Sequence, residues 1–99
     1  MRESDIENYL KKNIERVGGL CLKFESPGYS GVPDRLCLMG NGKQFFVEVK
    51  APGKKLRPLQ QKCKREFEKR KHSVWVVDSK EGVDLLIATW VTGGVIVGN

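Results

Sequence analysis

Three features of the sequence predict an α/β domain, a mixed sheet with helices packed on its faces. Apolar residues recur at helical spacing in three segments and at strand spacing in four others, in the order helix, strand, strand, strand, helix, strand, helix. Gly40-Asn41-Gly42 separates the second and third strand segments and marks a tight hairpin, so those two strands run antiparallel. A helical segment separates the third strand from the fourth, which makes that pair parallel, with a right-handed crossover. The 99 residues, 39% of them hydrophobic, make one domain, residues 1–99, with a shallow core.

The first helix is expected over Ser4 to Val17. Ser4 is a good N-cap, Glu7 lies three residues on as in a capping box, and Ile6, Tyr9, Leu10, Ile14 and Val17 share one face. Gly18-Gly19 ends it, because glycine accepts the left-handed conformation past a helix C-terminus. Leu20 to Phe24 alternates as a strand, with Leu20, Leu22 and Phe24 on one side and Cys21 and Lys23 on the other. Glu25 to Pro33 is a loop by composition. Arg35 to Met39 and Gln44 to Val49 form the hairpin strands. Ala51 to Pro58 is a basic loop, and Leu59 to Lys71 a second helix with Leu59, Cys63 and Phe67 spaced by four. Ser73 to Val77 is the fourth strand. Asp78 or Ser79 caps a third helix carrying Val83, Leu86, Ile87 and Trp90, and Thr92 to Val97 could form a turn and a last short strand.

Composition narrows the partners. The net charge is +6, which favours an anionic partner, nucleic acid above all. From Lys50 to Lys71 ten basic residues face only two acids, Glu66 and Glu68. Such a run is often just a solvated helix face. Here it follows the residues with the most chemistry, which points to a phosphate-facing surface. No apolar run approaches a membrane span, and the N-terminus lacks the apolar centre of a signal peptide. The three cysteines are odd in number and widely spaced, against a disulfide framework or a zinc site; Cys21 and Cys37 read as reduced core residues. A cytoplasmic location is expected.

The chemistry sits at one end of the hairpin. Asp34 opens the second strand, and Glu48, Val49 and Lys50 close the third. A hairpin brings these ends together, and strand alternation turns Glu48 and Lys50 the same way, with Val49 on the opposite face. Mg²⁺ needs oxygen ligands and keeps several waters, so Asp34, Glu48 and the Val49 carbonyl suit it, with Mn²⁺ able to substitute. Lys50 can position a water or neutralise charge developing on a phosphodiester. The plain alternative is a charged hairpin end forming a surface ion pair.

Pro33-Asp34 followed by Glu48-Val49-Lys50 resembles the PD-(D/E)XK nuclease superfamily and its restriction-endonuclease-like fold. More narrowly, the chain is similar to stand-alone VRR-NUC domains of phages and bacteria. Glu3-Ser4-Asp5-Ile6-Glu7, Gly31-Val32-Pro33-Asp34-Arg35, Val47-Glu48-Val49-Lys50 and Leu56-Arg57-Pro58-Leu59-Gln60 carry that resemblance, from residue 3 to about 90. It implies metal-binding roles for Asp34 and Glu48, a catalytic role for Lys50, and a glutamine, Gln60 before Gln61, pointing back to the site. It also implies an acid on the first helix, Glu3 or, one turn on, Glu7. Stand-alone members are similar to Holliday-junction resolvases, so the resemblance implies a Mg²⁺-dependent endonuclease for branched DNA acting as a homodimer. Lys54, Lys55 and Arg57 are the leading phosphate contacts, with Arg35 and Lys64 beside them and Tyr29 placed to stack on a base or to pack its own loop. A sequence-specific restriction-type endonuclease and a non-catalytic DNA-binding module are the alternatives. His72, the single histidine, is expected on the surface, and Trp75 and Trp90 in the core or an interface.

Overall fold

The computed structural model describes residues 1–93. Helix α1 (Glu3–Arg16) is followed by strands β1 (Leu20–Lys23), β2 (Arg35–Leu38) and β3 (Gln44–Val49), helix α2 (Pro58–Lys69), strand β4 (Val74–Val77), helix α3 (Lys80–Ile87) and a π-helical turn (Ala88–Gly93). The four strands form one sheet in the order β1-β2-β3-β4. β1/β2 and β2/β3 pair antiparallel and β3/β4 parallel, the mixed sheet that the hairpin and the crossover helix predict. The short strand expected near the end of the chain lies outside the described residues, except for Thr92 and Gly93, which belong to the π-helical turn.

Helix ends differ from expectation in instructive ways. α1 begins one residue earlier than Ser4, with Arg2 as the flanking residue, because the Asp5 carboxylate accepts the Arg2 N–H at 2.9 Å. The reaching-back acid is thus Asp5 and not Glu7. At the other end the Gly19 N–H bonds the Ile14 carbonyl and the Gly18 N–H bonds that of Glu15, with Gly18 at φ +90°. This Schellman arrangement turns the chain straight into β1 and leaves Val17 exposed outside the helix. α2 stops at Lys69 and not Lys71, closed in the same way by Lys71 at φ +71°. Ser79 is the cap of α3, its hydroxyl accepting the Gly82 N–H at 3.0 Å.

α1 and α3 pack on one face of the sheet. Ile6, Leu10 and Ile14 of α1 and Val83 and Leu86 of α3 meet Cys21, Cys37, Phe45, Val47, Val49 and Val77 in the core. Trp90 stacks on Phe45 at 4.6 Å between ring centroids, and Trp75 packs against the same core. Cys21 and Cys37 face each other across β1 and β2 with their sulfurs 3.8 Å apart. All three cysteines are free and buried, and the Cys37 thiol is pushed up by its thiol partner and by burial.

α2 covers the opposite face, where Phe67 meets Phe46 at 4.9 Å and Phe46 meets Phe24 at 5.2 Å. Cys63 is buried there, but Leu59, the first of the expected apolar series, is 56% exposed. On the same side of the sheet Leu20 and Leu22 of the edge strand are 55% and 42% exposed.

Candidate active site

The site is built at the shared end of β2, β3 and α2. The register Arg35↔Val47 puts Asp34 opposite Glu48 one step further along. β2 begins only at Arg35, so the Val49 N–H has no strand partner there, and the Asp34 Oδ2 accepts it at 2.9 Å. The Lys50 N–H bonds the Val77 carbonyl at 2.9 Å, fixing the end of β3 to β4. Val49 turns into the core, so Glu48 and Lys50 emerge together on the other face.

The first turn of α2 closes over them. Pro58 occupies the first turn, where its missing N–H costs nothing. Gln60 accepts the Arg57 N–H through Oε1 at 2.9 Å, which turns its Nε2 to Glu48 Oε2, also at 2.9 Å. The Lys50 Nζ lies 3.5 Å from that same carboxylate oxygen. Glu48 is only 4% exposed, and its second oxygen, Oε1, is buried with no hydrogen-bond partner. Burial, and then the charge of Asp34, push the Glu48 carboxyl up to about 7, against the pull of Lys50.

These groups floor a cleft of about 440 Å³. Glu3 stands at its edge, and Lys54, Lys55 and Arg57 form the basic side. Asp78 holds the basic loop in place by accepting the Gly53 N–H at 3.2 Å, a tether that the sequence, where Asp78 reads as a helix cap, does not reveal.

Several expected residues sit elsewhere. Glu7 does not reach the cleft; it pairs with Arg35 at 2.8 Å and with Lys23 at 3.5 Å. Arg35 is 7% exposed, and its guanidinium also donates to the Cys21 carbonyl at 3.1 Å. Its charge is committed to the α1–sheet junction and is closed to a phosphate. Arg35→Met is therefore expected to lower stability by about 2–4 kcal/mol, since it strands a half-buried Glu7, with the salt dependence of DNA binding unchanged. Urea denaturation and binding titrations at several salt concentrations check both parts. Lys64 is held by Glu68, both oxygens at 3.0 Å. Tyr29 is exposed and its ring stacks beside Phe67 with centroids 6.5 Å apart. His72 is exposed.

The donor set fits a hard divalent cation. Among the described residues no three His, Cys, Asp or Glu side chains cluster as a metal cage. Mg²⁺ is satisfied by one or two carboxylates plus waters, and the unpartnered Glu48 Oε1 beside Asp34 is a buried oxygen of that kind.

Comparison with known proteins places the chain. The sequence profile of the VRR-NUC domain matches residues 4–81. The protein described as "Putative nuclease p44" of Acyrthosiphon pisum secondary endosymbiont phage 1 is 43% identical over 88 residues, covering 89% of this chain and 95% of that one. A solved structure described as a VRR_NUC domain superimposes with a TM-score of 0.82 at 40% identity, over 86% of this chain and 92% of the other. With the carboxylates, lysine and glutamine brought together at the end of the hairpin, these matches show that the chain belongs to the VRR-NUC family of nuclease domains.

Proposed function

We propose that the chain is a Mg²⁺-dependent DNA endonuclease that hydrolyses phosphodiester bonds in branched DNA, working as a homodimer. The observation that carries the reading is the buried Glu48, held on one oxygen by Gln60 and Lys50 and free on the other, beside Asp34 at the foot of a basic cleft. A bound Mg²⁺ would supply Lewis acidity, stabilising phosphate charge and lowering the pKa of water. Asp34 and Glu48 would hold it, with the Val49 carbonyl as a further oxygen and Glu3 reaching in from α1. Mn²⁺, with similar ligand preferences, should substitute. Gln60 and Lys50 hold Glu48 by Oε2, which leaves Oε1 without a protein partner. Lys50 stands within reach of a phosphate in the cleft, where its ammonium can neutralise the charge that grows on the phosphorus-bound oxygens as the bond breaks. Lys54, Lys55 and Arg57 draw the backbone down onto that floor.

The exposed Leu20 and Leu22 on the edge strand support a second copy: apolar residues on the part of a sheet face that its helix leaves open find their complement in the same surface of a partner. Two sites on a dyad match the two strands cut in a four-way junction.

The test uses labelled four-way junctions and matched linear duplexes, with Mg²⁺, Mn²⁺ or EDTA. Junction cutting with either metal and none in EDTA is expected, with Asp34→Ala and Lys50→Ala inactive. No metal-dependent cutting of any DNA leaves the non-catalytic binding module, and unimpaired Lys50→Ala overturns the site. Equal cutting of duplex removes the branch preference, and cutting confined to one short sequence favours a restriction-type enzyme.

A further inference from the structure

Beside the cleft, between the Ser30–Gly31 loop and the first turn of α2, lies a second recess of about 560 Å³. Arg57 and Gln60 line both spaces, so the recess adjoins the site. Its other walls, Gly31, Pro58 and Leu59, are apolar, with Ser30 at the rim. On a helix otherwise crowded with lysine and arginine, Leu59 is 56% exposed, while Cys63 and Phe67 on the same stripe pack inward. Leu59 therefore serves no core. The walls of the recess are also in close contact. Gly31 has φ +86°, and a Cβ there would run into the Leu59 carbonyl and come within 3.0 Å of the Gln60 nitrogen. Backbone packs directly on backbone, and the apolar walls stand ready-made.

We propose that this recess receives one unpaired nucleobase of the strand being cut, next to the scissile phosphodiester. The inference rests on the nuclease reading and deepens it. A phosphate has no cationic cradle among Gly31, Pro58 and Leu59. A base has the right character: flat, neutral, apolar on its faces and attached to the phosphate that Arg57 and Lys50 would hold. The Ser30 hydroxyl offers one donor and one acceptor to the base edge, too little to read a sequence. A base within intact duplex has stacked neighbours on both faces to leave, whereas a nucleotide at a branch point can lose one of them, so it leaves its stack at lower cost. Preference for branched DNA then originates here and not in the metal-binding floor. Base contact in this reading moves from Tyr29, whose ring stacks beside Phe67, to Leu59.

The experiment places an abasic residue in turn at each nucleotide flanking the mapped cut in a four-way junction. At one of these positions wild type is expected to lose about tenfold in kcat/KM, and Leu59→Ala to lose as much on the intact junction and nothing further on the abasic one. A parallel measurement in EDTA, with 2-aminopurine at the same position, reads a fluorescence rise on binding that Leu59→Ala removes, independently of any cutting. Equal cutting of abasic and intact junctions by wild type, without the fluorescence rise, overturns the proposal while leaving the nuclease intact. Loss of dimer on Leu59→Ala, with no abasic effect, overturns it in favour of a second copy of the chain on Leu59. If wild type cuts nothing, the nuclease reading falls and this inference falls with it.

Discussion

Glutamine in place of Glu48 is expected to abolish metal-dependent cleavage, by roughly 10³-fold or more, and at the same time to stabilise the metal-free protein at neutral and alkaline pH. Both follow from one placement. The carboxylate is buried, next to Asp34, and its Oε1 has no partner. Folded, the group titrates at about 7; its ordinary value is 4.5. Between those values the folded protein holds a proton that the unfolded chain releases, so this group's contribution to stability falls as pH rises from about 4.5 through 7. By pH 8 the ionised Glu48 costs about 3 kcal/mol relative to its neutral form. The glutamine amide mimics that neutral form at every pH. Thermal melts in EDTA from pH 5 to 8 should show wild type losing ground steadily, with Glu48→Gln at least about 5 °C more stable at pH 8. Parallel pH slopes for the two proteins would rule out the Glu48 carboxyl as the source of that loss. Mg²⁺ should restore much of the wild-type deficit and none of the variant's, because binding to the folded state adds stability only where the site exists.

The second large effect is expected at Gly31. Alanine there meets two obstacles: a left-handed backbone at φ +86° and a Cβ pressed into the Leu59 carbonyl. Gly28 provides the control, since it has φ +87° and nothing within 4 Å of its would-be Cβ. Gly28→Ala should cost about 1 kcal/mol, the conformational part alone, with cleavage unchanged. Gly31→Ala should cost about 2–4 kcal/mol and reduce cleavage about 10²-fold. The first turn of α2 must move to admit the methyl group, and Gln60 and Arg57 move with it. Urea denaturation and cleavage rates on both variants make the comparison. Equal effects at the two glycines would mean that backbone strain, and not the contact with α2, is what the position controls.

Much of this architecture was legible from local pattern. The Gly40-Asn41-Gly42 turn and the alternation through Phe45, Val47 and Val49 fixed β3 to its observed ends and set the register that brings Asp34 to Glu48. Strand alternation also put Glu48 and Lys50 on one side, which is the geometry observed. What failed were statements that needed a partner from a distant segment. Glu3 and Glu7 share a helix face, and sequence cannot separate them; Arg35, 28 residues from Glu7, takes one acid into a buried pair and leaves the other at the cleft. Arg35 reads as a phosphate contact because it is a cation next to Asp34, and only the position of α1 reveals its commitment. Leu59 reads as core at a spacing of four from Cys63, but the first turn of α2 lies over the Gly31 loop and the site, beyond the apolar part of the sheet.

Two side chains at the site take their orientation from main-chain amides: Asp34 from Val49 and Gln60 from Arg57. An amide is supplied by every residue except proline, so these anchors do not depend on which side chains occupy positions 49 and 57. Both rotamers are therefore set before any substrate arrives, and little freedom remains to be lost on binding. Position 57 can consequently vary in charge while the aim of Gln60 at Glu48 stays the same. In the proposed reading, affinity for DNA and the geometry of the site floor can change independently of each other, although Arg57 and Gln60 stand only three residues apart at the start of α2.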